Sequence, residues 1–274
     1  MTARPFDDGV VIVTGASSGI GAALVRQLSH RARVIVVVAR RRALLEQLAE
    51  ELSQAPAVIV VQPADLTDPE ACTALVEAVT LAHDRVDVLV NNAGMGDIGL
   101  FEAADPEKIL RMIRVNVVGL TVLTRAVLPG MVDRGRGGIL NISSGFGLNF
   151  MPGFAGYVGT KHYVTGFTES LRAEMRGTGV RVVQVCPGPV ATEFETVAGN
   201  PLDRGVPGFV EQSASDCAAG CIAAMDRNRA LSVPGVVAWL LVHGGWWSPR
   251  VLSRWVLSLV GRLLRRKLIA VKEP

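Results

Sequence analysis

The sequence predicts a doubly wound α/β fold: a parallel sheet of about seven strands with helices on both faces. Three observations carry that expectation. Apolar runs of four to eight residues alternate with helical patterns through most of the chain. Several runs, such as Val34-Ile35-Val36-Val37-Val38, are continuous Val and Ile, as strands buried on both faces require. The first run ends in a glycine-rich turn that opens directly onto a helical pattern.

In chain order, Val10–Val13 is the first predicted strand and Gly21–Ser29 its helix. Arg33–Val38 is the second strand, and Arg41–Leu52 follows with Leu44, Leu45, Leu48 and Leu52 on one helical face. Val58–Val61 is the third strand. Pro69–Ala82 is the next helix, with Pro69 suited to its first turn. Val86–Val90 is a fourth strand, followed by a long helical region from Pro106 to Met131. Gly138–Ile142, a helix over Tyr157–Met175 and a strand at Val180–Val185 complete the pattern, with a seventh strand at Leu231–Val233. The chain divides into a sheet domain over 1–235 and a helical extension over 236–274.

Composition narrows the class. Of 274 residues, 49% are apolar and 19% charged, with 28 Lys and Arg against 25 Asp and Glu, a net +3. Disorder, fibrous repeats and charge-driven nucleic-acid binding are excluded on those figures. The charge is unevenly distributed. From Pro249 onward seven basic residues face one acid, so this tail carries +6 and the remainder −3. Four cysteines make no disulfide framework. Cys217 and Cys221 share a helical face, and no histidine lies near enough in sequence to suggest a metal site. No secretory leader and no uninterrupted apolar stretch of about 18 residues stands out, so the expectation is a cytoplasmic protein.

The turn after the first strand reads Thr14-Gly15-Ala16-Ser17-Ser18-Gly19-Ile20-Gly21. Glycines there permit a tight turn and let a pyrophosphate reach the backbone N–H groups of a helix N-terminus. Gly15, Ser17, Ser18, Gly19, Ile20 and Gly21 are therefore candidate cofactor contacts. An acid at the end of the second strand would select NAD; here Ala39 is followed by Arg40, Arg41 and Arg42, which suit a 2′-phosphate and predict NADP(H). Arg40, nearest the strand end, is the expected contact.

Tyr157 and Lys161 stand four apart on a helix and face one cleft, where an ammonium favours the phenolate and lowers the tyrosine pKa. Ser144 lies 13 residues earlier at a strand end, able to donate to a substrate carbonyl, while Ser143 points to the other side. With the glycine turn and Asn91-Asn92-Ala93-Gly94, these residues resemble the short-chain dehydrogenase/reductase family over residues 8–235. The resemblance implies a Rossmann-type fold and carbonyl–alcohol interconversion by hydride transfer. It implies that Lys161 also holds the nicotinamide ribose beside Tyr157, and that Asn116 supports a proton-relay water beside the lysine. It further implies adenine contacts at Asp65 and Leu66, backbone contacts at Asn91, Ala93 and Gly94, and nicotinamide contacts at Pro187, Gly188, Val190 and Thr192. Tyr163, lacking a lysine four residues on, reads as a core or cleft-wall aromatic.

Glu193–Gln212 occupies the position of the family's mobile lid. Phe194, Val197, Leu202, Val206, Phe209 and Val210, with Phe146, Leu148, Phe150, Met151 and Phe154, suggest an apolar cleft wall and a lipophilic or acyl substrate. Arg204 is the one candidate clamp for a carboxylate. In the tail Leu252, Trp255, Val256, Leu259, Val260, Leu263 and Leu264 trace a helical stripe, with Arg254, Ser258, Arg262, Arg265 and Arg266 largely off it. That pattern fits an interfacial helix on a membrane, or one packed on the body or on a second subunit of a homo-oligomer. A non-catalytic NADP-sensing protein of the same fold is the alternative function.

Overall fold

The computed structural model describes residues 4–199, 211–235, 239–240, 244 and 250–272. Seven parallel strands form one sheet: β1 (Val10–Thr14), β2 (Val34–Ala39), β3 (Val58–Pro63), β4 (Val88–Asn91), β5 (Gly137–Ile142), β6 (Val180–Val185) and β7 (Leu231–Ser232). Their order is β3-β2-β1-β4-β5-β6-β7. The helices are α1 (Gly19–Leu28), α2 (Arg42–Glu51), α3 (Pro69–His83), α4 (Pro106–Ile113), α5 (Leu120–Asp133), α6 (Ala155–Glu174), α7 (Phe194–Ala198), α8 (Ala214–Asp226) and α9 (Arg250–Lys272).

Strand alternation sends successive side chains to opposite faces, and two cores result. Val11, Val13, Ile35, Val37 and Val183 pack with α1, α2 and α8. Val10, Ile12, Val34, Val36 and Val182 pack with α3, α5 and the end of α6. Cys217 and Cys221 are free thiols buried in the first core. The third strand departs from the expectation of burial on both faces. It lies at the sheet edge with Val58 exposed and the rest half-buried, because no strand follows it outward. Asp87, just before β4, is buried, and its carboxylate accepts from the Val10 N–H at 2.9 Å and pairs with Arg85 at 3.0 Å.

The predicted long helix is continuous in direction but changes winding. Arg114–Gly119 forms a π-helical turn between α4 and α5. The stretch Pro106–Asp133 is long and apolar enough to cross a membrane by length and composition, with a mean hydropathy of 1.6. Here Leu123, Val127 and Met131 use that apolarity to pack on the sheet. Pro69 does occupy the first turn of α3, where the Asp68 carboxylate caps the Glu70 N–H.

The chain order reverses between β1 and β4, so their carboxyl ends bound a crevice. Loops after β1, β2, β3, β4, β5 and β6 all line one cleft of about 1070 Å³ there. That edge positions the site.

Candidate active site

The floor of the cleft is the loop from β1 to α1. Gly15 adopts φ +65°, and a Cβ on it would stand 2.8 Å from the Ala93 Cα. Gly21 lies behind the cleft rather than along it: a Cβ there would meet the Gly15 carbonyl oxygen at 2.2 Å. It seats α1 against its own loop. Gly21→Ala is therefore expected to push the loop off the helix N-terminus and lower dinucleotide affinity by about 10-fold or more. Fluorescence titration measures this, and an unchanged Kd would separate loop packing from cofactor binding.

Gly15, Ser17, Ser18, Gly19 and Ile20 line the cleft as expected. At the end of β2 both Arg40 and Arg41 line it as well, and Arg41 is the better engaged. Its guanidinium donates to Ser17 Oγ at 3.0 Å and Ser18 Oγ at 2.8 Å, and pairs with Glu193 at 2.9 Å. Arg40 instead lies where its charge acts on Asp65. Asp65 is held below the usual carboxylate range chiefly by the Thr67 N–H it accepts at 3.0 Å, with Arg40 adding to the effect. Leu66 lines the cleft beside it. The pairing of Arg41 with Glu193 is invisible in the sequence, because it joins positions 152 residues apart.

Asn91 is not among the residues lining the cleft. It closes β4 with its side chain turned into the interior, donating to Thr124 Oγ1 at 3.0 Å and Asn141 Oδ1 at 2.9 Å. Asn141 passes the chain on to Thr168 at 2.9 Å, so this row ties α5 and α6 to the sheet. Asn92 takes the cleft position: its amide donates to the Thr14 carbonyl at 2.9 Å and clamps the glycine loop. Ala93 and Gly94 continue along the cleft.

Ser144, Tyr157 and Lys161 converge at the far end. Ser144 follows β5, accepts from the Phe146 N–H at 3.2 Å and hydrogen-bonds the Tyr157 phenol. Ser143 turns away, donating to the Lys161 carbonyl at 3.1 Å. Lys161 Nζ donates to the Ile142 carbonyl at 2.9 Å and lies 5.7 Å from the centre of the Tyr157 ring. Phe194, first residue of α7, packs on that ring at 5.2 Å.

Burial overrides the expected lowering of the tyrosine pKa. It pushes the Tyr157 phenol up to about 12, against the favourable Ser144 hydrogen bond. It pushes the Lys161 ammonium down to about 8. The first proton to leave the pair near neutral pH is thus the lysine's.

Asn116 does not line the cleft. It sits in the π-helical turn with its amide fully used: Oδ1 accepts from the Met95 N–H at 2.8 Å, and Nδ2 donates to the Met95 carbonyl at 2.9 Å and Thr160 Oγ1 at 3.0 Å. A Cβ on Gly94 would stand 3.5 Å from Asn116 Oδ1 and 3.6 Å from Lys161 Nζ. The Asn116 side chain thus pins the strand-four loop over the lysine.

Pro187, Gly188, Val190 and Thr192 line the cleft after β6, and Thr192 reaches to within 2.9 Å of a Cβ on Gly19. Phe146, Phe150, Met151 and Phe154 form an apolar wall, as do Phe194 and Val256 and Leu257 of α9. Tyr163 is neither core nor cleft wall. It lies exposed on α6, stacked on Phe167 at 5.8 Å and hydrogen-bonded to Thr121. Leu202, Arg204, Val206, Phe209 and Val210 lie outside the described residues, as do the side chains of Val197 and Leu252.

The arrangement fits an extended dinucleotide. The N-terminal turn of α1 opens on the cleft, two arginines stand at the β2 end, and the buried Tyr157 and Lys161 lie past the switch point. The model of the short chain dehydrogenase family matches residues 9–201. A human protein, dehydrogenase/reductase SDR family member 7, is 32% identical over 265 residues, 93% of this chain and 78% of its own. A short-chain dehydrogenase from Sphingobium yanoikuyae in complex with NADPH superposes with a TM-score of 0.76 at 30% identity, covering 96% of this chain and 95% of that one. A 3-ketoacyl-(acyl-carrier-protein) reductase from Brucella melitensis complexed with NADH gives 0.76 at 27% identity, covering 85% and 99%.

Proposed function

Since this chain belongs to the short-chain dehydrogenase/reductase family of oxidoreductases and takes a nicotinamide cofactor, we propose that it is NADP(H)-dependent and interconverts a ketone or aldehyde with an alcohol, on a lipophilic or acyl substrate. The observation that carries this reading is the meeting of Ser144, Tyr157 and Lys161 at the end of a cleft whose other end bears Arg40 and Arg41. Bound at this cleft, the cofactor supplies or accepts the hydride.

The chain's own groups handle the proton and the charge. Ser144 donates to the carbonyl oxygen and Tyr157 delivers its phenolic proton there as negative charge develops. Lys161, held by the Ile142 carbonyl, stabilises the tyrosinate left behind. Asn116 keeps the Gly94 loop against that lysine. Phe194 and the Phe146–Phe154 wall exclude water and hold an apolar substrate flank.

The pH dependence follows with opposite signs. Carbonyl reduction needs both groups protonated, so its kcat is expected to stay level below about pH 8 and fall as Lys161 loses its proton there. Alcohol oxidation needs the pair to have lost one proton, so it is expected to rise through the same region. A reduction rate that climbs through pH 8 would contradict the assignment.

Assaying NADPH oxidation over acyl thioesters, steroids, sugars and aryl ketones tests the function. Turnover on apolar carbonyls supports it. Tight NADPH binding without turnover on any member would favour the sensing protein. Phe194→Ala is expected to lower kcat/KM for an aryl ketone by about 10–100-fold through lost apolar contact. A cytoplasmic homo-oligomer completes the proposal, supported by four buried free cysteines and by the exposed Tyr163 ring on α6.

A further inference from the structure

The apolar residues of α9 face two ways. On one edge Leu264 comes within 2.7 Å of a Cβ on Gly153, Gly261 faces Pro152, and Arg265 pairs with Glu102 at 2.6 Å. Leu257 on this side reaches the mouth of the cleft, which Val256 also lines while staying exposed at the flank. That edge packs the helix on the body.

The other edge has no such cover among the described residues. Trp255 is 65% exposed, Leu259 39% and Leu263 57%, and their spacing of four puts them in one row along the helix. Arg254, Arg262, Arg266 and Lys267 are exposed around it. Among the described residues, only Arg265 of the helix's cations makes an ion pair. The two uses suggested by the sequence therefore do not compete: the stripe is wide enough to pack on the body and still present a second face.

Charge decides what covers that face. A second copy docked there would bring the same four cations against themselves, a like-charge contact with no acid on the helix to relieve it. An anionic surface meets the opposite situation: it attracts the +6 tail and repels the −3 body, which orients the molecule tail-first. A tryptophan at the boundary of an apolar row and a cationic flank suits the headgroup region of a bilayer. We propose that α9 docks this protein on an anionic lipid surface through Trp255, Leu259 and Leu263, with Arg254, Arg262 and Arg266 on the lipid phosphates. Docking there sets the mouth of the cleft, at Val256 and Leu257, beside the bilayer. The inference rests on no catalytic step.

Flotation of the full chain with vesicles tests it. Vesicles of phosphatidylcholine containing about one third phosphatidylglycerol are expected to carry the protein, and pure phosphatidylcholine vesicles to leave it behind. The triple variant Arg254→Gln, Arg262→Gln, Arg266→Gln is expected to partition on the order of 100-fold less, at roughly fivefold per arginine. Trp255→Ala with Leu263→Ser is expected to lose binding as well. Retained melting temperature and NADPH binding in these exposed-site variants separate lost docking from misfolding. Equal behaviour on both vesicle types, or full binding by the arginine variant, would overturn the proposal. So would a failure to bind either vesicle accompanied by a drop in solution mass in Trp255→Ala/Leu263→Ser, which would assign the face to a second copy.

Discussion

Tyr157→Phe is expected to lower kcat for carbonyl reduction by about 10²–10⁴-fold while NADPH binding is retained. The phenyl ring keeps its packing against Phe194 and Phe146, so the cleft wall survives the change. What leaves is the one hydroxyl that both meets Ser144 and lies within the field of Lys161. Its burial makes the test sharp, because a phenol pushed up to about 12 keeps its proton across the accessible pH range and gives it up only as negative charge develops on the substrate oxygen. Stopped-flow single turnover with saturating NADPH isolates the step from product release. A variant that turns over at the parent rate would remove Tyr157 from the mechanism.

The second large effect concerns the cofactor. Arg41→Ala is expected to lower the preference for NADPH over NADH by about 10–100-fold, the range for losing a charge-assisted hydrogen bond to a phosphate. Arg40→Ala should have a smaller effect, since Arg40 lies where its charge acts on Asp65 while Arg41 reaches over Ser17 and Ser18. Glu193→Gln is the control. Glu193 holds Arg41 by an exposed ion pair, so a phosphate-binding Arg41 should keep or improve its preference once that competitor is neutralised. If Arg41 served only to tie the lid base to the glycine loop, Glu193→Gln would instead reproduce the arginine variant. Ratios of kcat/KM for the two cofactors separate these outcomes, and an unchanged ratio in both arginine variants would assign the 2′-phosphate elsewhere.

The legible part of this site is the part carried by local spacing. Tyr157 and Lys161 share a helix, Gly15 to Gly21 share a turn, and Ser144 ends a strand, so short sequence separations carried their geometry. The structure adds most where neighbours in sequence part company in space. Asn91 and Asn92 are adjacent, yet one braces α5 and α6 while the other clamps the glycine loop, because a strand end sends successive side chains opposite ways. Arg40 and Arg41 diverge for a similar reason at the end of β2. The packing of Gly21 is likewise set by the carbonyl of Gly15 folding back over it, which the glycine spacing alone does not reveal.

By itself the sequence determined the sheet, its helices, the family and the pairing of Tyr157 with Lys161 on one helix, since strand and helix periods and i, i+4 spacing are properties of the chain read locally. Only the tertiary structure decided the state of that pair, because a pKa answers to burial, and burial comes from Phe194 and the strand-five edge closing over the tyrosine from distant parts of the chain. The same holds for the tail. Its stripe was visible as a pattern, but which edge meets Pro152 and Gly153 and which stays exposed is set by docking, and no periodicity encodes that.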